Sequence, residues 1–162
     1  MTRFASLAVL GAVLTAACGV PAAPTMMTAS HAAAIRDSAQ AVLDAFRRYS
    51  AEGRWDSLAG LYAADADFRW LEQGMIQYRS PAQIREAMNR VSPTTRIETS
   101  YLDTRIVALA PGAAAIATTF HTKFMEAGVQ RAEFGGVLDM VVVHREGGWR
   151  ILLGHSSSRP RG

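Results

Sequence analysis

GGVLDMVVVHREGGWRILLGHSSS, residues 135–158, is the stretch whose reading decides the fold. It reads as two long strands joined at Glu146-Gly147-Gly148, where adjacent glycines can take the positive φ that a tight hairpin requires. A charged residue, Asp139, stands between Leu138 and Met140 in the first strand, and the second strand ends in His155-Ser156-Ser157. An isolated carboxylate within a buried sheet costs several kcal/mol unless it is protonated, paired or beside a water-filled cavity. The expectation is therefore a hollow behind this sheet, with Asp139 and His155 as its candidate functional groups.

Upstream, the same texture continues. Strands are predicted at 95–109, 114–125, 130–144 and 149–157, separated by Pro111-Gly112, Ala127-Gly128 and Gly147-Gly148. Before them the periodicity changes. Ile35, Ala39, Val42, Leu43 and Phe46 fall at helical spacing, with Arg36, Asp37, Gln40, Asp44, Arg47 and Arg48 opposite, so a helix is predicted over 30–52 with Gly53 as its C-cap. A short helix over 55–62 follows, then brief strands at 65–70 and 75–78. Ser80-Pro81-Ala82-Gln83 is a capping box with proline at the first helical position, opening a third helix that runs to Val91 before Ser92-Pro93. Helices first and a meander after argue an α+β fold, with three N-terminal helices packed on one face of a curved, mainly antiparallel sheet.

The chain has 162 residues, 17 basic and 14 acidic groups, and a formal charge of +3. The charges are interspersed, without a basic stripe or a recognition motif, which argues against nucleic acid as a partner. His31, His121, His144 and His155 have no metal-ligand spacing, no Gly-rich loop follows a strand, and no serine stands in a nucleophile elbow, so neither metal nor cofactor is expected. Gly135-Gly136 read as a bend or bulge in the sheet, and Trp149 as a core or interface anchor.

The first residues read as a targeting segment: one positive charge at Arg3, an apolar run from Phe4 to Leu14, and small residues ahead of Cys18, the chain's single cysteine. Leu14-Thr15-Ala16-Ala17-Cys18 resembles a lipobox, with the leucine one place further upstream than usual. The resemblance implies a signal peptide over 1–18 and a lipid on Cys18. Ordinary cleavage near Ala22 is the competing reading. Gly19 after the cysteine implies the outer membrane, facing the periplasm. Residues 19–29, rich in Pro, Ala and Thr, suit a tether; 30–158 form one domain without a possible internal disulfide; 159–162 are a tail.

The order of these elements, with Leu61-Tyr62-Ala63-Ala64-Asp65-Ala66 leading into a strand and Gly148-Trp149-Arg150-Ile151 leading to His155-Ser156-Ser157, resembles the nuclear transport factor 2-like superfamily. Within it, the chain is similar to the SnoaL-like and ketosteroid-isomerase-like bacterial domains. The resemblance implies a cone-shaped barrel with a pocket, commonly a homodimer packed through the sheet. By this likeness Phe120, Thr122 and Phe124, on one face of their strand, line the pocket, and Trp70, Tyr78 and Met88 close its mouth. For Phe120, Phe124 and Met88, ordinary core is the competing reading.

Asp139 matches the aspartic acid that ketosteroid isomerases keep protonated to hold an oxyanion. The isomerase tyrosine falls on or near Phe46 and its proton-moving aspartate near Trp70, neither of which can do that chemistry, so steroid isomerisation is not expected. Asp139 has Arg131, His121 and His155 as possible partners. His155 is either a general base oriented by Asp139 or a rim group bonded to backbone. Three functional readings stand: an exported, lipid-anchored domain holding a small, largely apolar ligand; a lyase or isomerase for a small carbonyl or hydroxyl compound; and an interaction module without a ligand.

Overall fold

A computed structural model describes residues 27–160, without the side chains of Arg159 and Pro160. The leader with Cys18, tether residues 19–26 and Arg161-Gly162 lie outside the described residues. The first helix, α1 (Ala29–Glu52), starts at Thr28, whose hydroxyl accepts from the His31 backbone N–H at 3.2 Å. It stops at Gly53, whose φ of 67° frees its N–H to cap the carbonyl of Ser50. Its apolar stripe, Ile35, Ala39, Val42 and Leu43, is buried against the sheet, mainly over one edge strand.

The second helix, α2 (Trp55–Ala59), is shorter than its periodicity predicts. The chain beyond it is captured by the sheet: Ala63 N–H donates to the Ile151 carbonyl and Ile151 N–H to the Leu61 carbonyl, both at 2.8 Å. A helix over 60–62 would forfeit both bonds. The strands β1 (Arg69–Glu72) and β2 (Met75–Tyr78) form a hairpin, and α3 (Pro81–Met88) follows the predicted cap, with Ser80 Oγ accepting from Gln83 N–H. Four long strands complete the chain: β3 (Thr95–Ala110), β4 (Ala113–Glu126), β5 (Val129–Arg145) and β6 (Gly148–Pro160).

The six strands make one mixed sheet in the order β2-β1-β6-β5-β4-β3, antiparallel except where β1 runs parallel to β6. Of the three expected helices, α1 lies along the sheet, over β3, β4 and β6. The other two pack mainly on each other, α2 also against α1 and α3 against β2. The core fills the space between α1 and the sheet, with Leu43, Phe68, Ile84, Ile116, Val142 and Ile151 fully buried. Ladder irregularities after Tyr101, Ala108, Phe124 and Val141 mark bulges, each of which bends its strand. The ladders run without irregularity through Gly135 and Gly136, where a bend or bulge was expected; what Gly136 supplies is room, since a Cβ there would collide with the Ser157 backbone of β6.

Candidate functional site

Side chains alternate across a sheet, so ladder register decides which residues can share a site. On β4, Ala114, Ile116, Thr118, Phe120 and Thr122 point toward α1 and are buried. Their β5 partners are Val142, Met140, Leu138, Gly136 and Phe134. Asp139 pairs with Ala117 and so belongs to the opposite, open face. His155, its β6 partner, lies beside it, Nδ1 being 3.8 Å from Asp139 Oδ2. Their side chains are 56% and 38% exposed, the values of surface groups rather than of a carboxylate in an apolar pocket.

Of the three partners foreseen for Asp139, His155 is the one the structure supplies. His121 instead bonds Glu133 at 2.7 Å, an interaction that, with Gln130, holds the Glu133 carboxyl below its ordinary range. The pair does not join Phe120 and Thr122 in a common pocket. Asp139 is one residue out of phase with the helix-covered face; with His155 it instead borders a shallow depression of about 380 Å³ on the open face, where water solvates it.

That face does contain a cavity, of about 160 Å³, walled by Phe46 of α1, Trp70 and Glu72 of β1, Ile97, Thr99 and Tyr101 of β3, Phe120 and Thr122 of β4, Phe134 and Leu138 of β5, and Ser156 of β6. Three of the predicted pocket residues, Trp70, Phe120 and Thr122, therefore meet in one place. The others do not. Phe124 lies beyond the cavity on the same strand, and Tyr78 is partly buried against the core opposite Trp70. Met88 borders a groove between α2 and α3 with Trp55 and Asn89. A larger hollow of about 670 Å³ runs along the flank of α1, but Asp44 and Glu98 alternate there with Arg47, Arg48 and Lys123, the pattern of a solvated surface.

Two ring pairs define the cavity's walls. Phe46 stacks on Trp70 with centroids 5.9 Å apart, and Phe120 meets Phe134 edge to face at 6.3 Å. Trp70 is set by its neighbours: it lies over Gly154, where any Cβ would overlap its ring, it meets Tyr62 edge to face, and its Nε1–H donates to Glu72 Oε1 at 3.0 Å. The Thr99 and Thr122 hydroxyls satisfy each other at 2.8 Å.

The Tyr101 hydroxyl is buried and has no hydrogen-bond partner among the described residues, and burial pushes its phenol above the ordinary range. Glu72, Tyr101 and Phe134 were not singled out by the sequence. Glu72 carried a usable signal, since it stands two residues beyond Trp70 and so on the same strand face. No group of three or more His, Cys, Asp or Glu among the described residues could hold a metal ion.

A family model described as a SnoaL-like domain matches residues 31–153. Among solved structures, the chain is similar to an NTF-2-like protein of unknown function from Shewanella oneidensis, with 18% identity, a TM-score of 0.64, and coverage of 75% of this chain and 97% of that one. It is also similar to an uncharacterised protein with a cystatin-like fold from Caulobacter vibrioides, at 23% identity, TM-score 0.61, and 76% and 88% coverage. LinA matches at 14% identity and TM-score 0.64, over 80% of this chain and 91% of LinA. A search of curated sequences finds no match. At these identities the solved structures speak for the fold, and the family model, spanning the helices and all but the end of the sheet, speaks for kinship: the chain belongs to the SnoaL-like domain family of the nuclear transport factor 2-like superfamily.

Proposed function

We propose that this domain binds a small, largely apolar ligand in the cavity between α1 and the sheet. The observation that carries the reading is the cavity itself, a partly open recess of about 160 Å³ flanked by two aromatic pairs, Phe46 with Trp70 and Phe120 with Phe134. A native core ordinarily fills such space, because unfilled volume costs packing energy. The test is thermal unfolding of the protein against a panel of steroids, polyketide-like aromatics and small carbonyl compounds. A ligand at a hundredfold excess over its Kd adds about 2.7 kcal/mol. The shift should survive Asp139→Ala and His155→Ala and disappear in Leu138→Phe, which fills the cavity. A shift lost in Asp139→Ala but retained in Leu138→Phe would place the ligand on the open face instead.

A lyase or isomerase remains the second reading, and one observation relocates it. Glu72 is the carboxylate on the cavity wall, so a proton transfer inside this cavity would use Glu72, with Asp139 and His155 excluded by the face they occupy. Turnover of any panel compound that persists in Glu72→Gln would end that assignment.

The open face supports a homodimer. Leu71, Val107, Val141 and Leu153 make up the apolar part of the shallow depression of about 380 Å³ there, which Asp139 and His155 also border, and Val107, Val137 and Leu153 are exposed. Arg105 and Asp139 stand in one row across that face, opposite charges that a two-fold axis can bring together between copies. Light scattering should give the dimer mass, and Leu153→Glu, which places a charge on each side of the interface, should give the monomer with an unchanged circular dichroism spectrum. The proposal extends to export and lipid anchoring at Cys18. Palmitate labelling of the protein in a Gram-negative host, lost in Cys18→Ala, would support the anchor, and labelling absent from the unaltered chain would refute it.

A further inference from the structure

Charge on the wall of the recess narrows the class of ligand, an inference that rests on the ligand-binding reading above. Of the described residues that line it, Glu72 and Tyr101 alone are titratable. Burial pushes the Tyr101 phenol above its ordinary range, so it stays neutral and Glu72 carries the one formal charge. The Thr99 and Thr122 hydroxyls bond each other and the Trp70 indole N–H donates to Glu72 Oε1, so none of these is a free donor for an anion. The carboxylate itself is fixed on one side and free on the other. Its Oε1 accepts the indole N–H at 3.0 Å, while Oε2 accepts from no described residue and is reached by solvent. No arginine, lysine or histidine among the described residues stands within ion-pair distance of either oxygen.

The partial opening decides how a ligand can use that charge. A cation taken wholly into an apolar space loses its hydration, a cost that one carboxylate seldom repays. At a half-open recess the cationic head stays in water beside Glu72, while an attached apolar group lies against the aromatic wall, as the stem and head of a lysine divide between apolar surface and solvent. An anion of the same shape meets Glu72 with like charge, and a neutral donor gains only a hydrogen bond for which water competes. We propose that the recess is a site for a small amphipathic cation, an alkyl- or arylalkylammonium, with Glu72 as its counter-charge and the aromatic side chains as the seat of its apolar part.

The experiment titrates benzylamine, benzyl alcohol and benzoate into the 15N-labelled protein at pH 7, where the three present a cationic, a neutral and an anionic head on the same ring. Binding is read at the Trp70 indole N–H resonance, assigned by its loss in Trp70→Phe, because that N–H is bonded to Glu72 itself. Benzylamine should bind roughly three- to tenfold more tightly than benzyl alcohol, the range between an exposed ion pair and a charged hydrogen bond, and benzoate more weakly than either. Added salt should narrow the gap between amine and alcohol. Glu72→Gln, whose amide oxygen can still accept the indole N–H, should bring benzylamine down to the alcohol's affinity and leave the alcohol unchanged, the alcohol result showing that the recess is intact. Equal affinity for amine and alcohol, a preference that persists in Glu72→Gln, or benzoate binding as tightly as benzylamine would overturn the cation selection and leave the ligand-binding reading standing. No displacement of the Trp70 resonance by any of the three would overturn both.

Discussion

Replacing Gly154 by alanine tests the cavity's architecture most directly, because one atom is added where the structure has no room. A Cβ at Gly154 would lie well inside 3.0 Å of Cε3 and Cζ3 of Trp70 and 3.1 Å from Cη2, closer than real Cβ atoms come. Ordinary contact between carbons is roughly 3.5–4.0 Å, so the indole has to retreat by about 1 Å. It cannot do so freely. Trp70 is 5% exposed, stacked on Phe46, edge-on to Tyr62, and tied to Glu72 by its Nε1–H. Nor can β6 give way easily, since it is paired with β5 on one side and β1 on the other.

Overpacking of this kind costs typically 1–3 kcal/mol, which for a domain of this size lowers Tm by about 3–12 °C. Thermal unfolding followed by circular dichroism reads the loss. Replacing the indole as well, in Gly154→Ala/Trp70→Leu, should cost less than the sum of the two single changes, because the smaller side chain accommodates the methyl group. A Gly154→Ala protein with unchanged Tm, or a strictly additive double variant, would refute the claim that Trp70 lies across Gly154 and walls the cavity.

Other outcomes follow from the same side chains. Tyr101→Phe removes a buried hydroxyl that has no partner among the described residues, so the protein should keep its stability or rise by about 1 kcal/mol in urea unfolding; a loss above that amount would mean the hydroxyl is bonded after all. Glu126 accepts from the hydroxyls of Thr94, Thr95 and Ser92, which hold its carboxyl below the ordinary 4.5. The unfolded chain then binds more protons than the folded one, so this contribution is present above pH 4.5 and is lost as pH falls through the lowered folded value. Glu126→Gln should therefore melt below the unaltered protein at pH 7, with the gap narrowing as pH falls below 4.5. A gap that stayed constant would show that the hydroxyls do not favour the ionised form.

The elements were legible because local chemistry specifies them. A glycine stands at each turn between the long strands, Gly147 and Gly148 both taking positive φ, and Ser80-Pro81 opens α3 as a capping box should. What the sequence does not announce is where tertiary hydrogen bonds overrule a local preference. Leu61 and Tyr62 fit a helical stripe, yet β6 takes up the backbone around them, and α2 ends early. The parallel pairing of β1 with β6 is likewise a contact across most of the domain's length, set by the curvature of the sheet rather than by any local signal.

Site residues are harder because a sheet turns a one-residue error into the wrong face. Asp139 was read as facing a hollow, and the alternation Leu138-Asp139-Met140 permits that as readily as the reverse. The arbiter is its cross-strand partner, Ala117, and through it the buried row of Thr118 and Ile116. Bulges add a second difficulty, since each shifts one strand past the other. Counting back from Arg145 and Gly148 without a bulge places Gly154, not His155, opposite Asp139; the irregularity between Val141 and Val142 brings the histidine alongside. Counting from Ala110 and Ala113 would set Asp103 opposite Phe120, and two further shifts put Tyr101 there instead. The aromatic cavity with one buried phenol thus depends on bulges that have no signature in composition or periodicity. Glu72 is the exception, because only its spacing from Trp70 was needed, and that spacing was already in the sequence. A strand reading that carries a candidate residue to its i+2 neighbour would have found this carboxylate on the cavity wall.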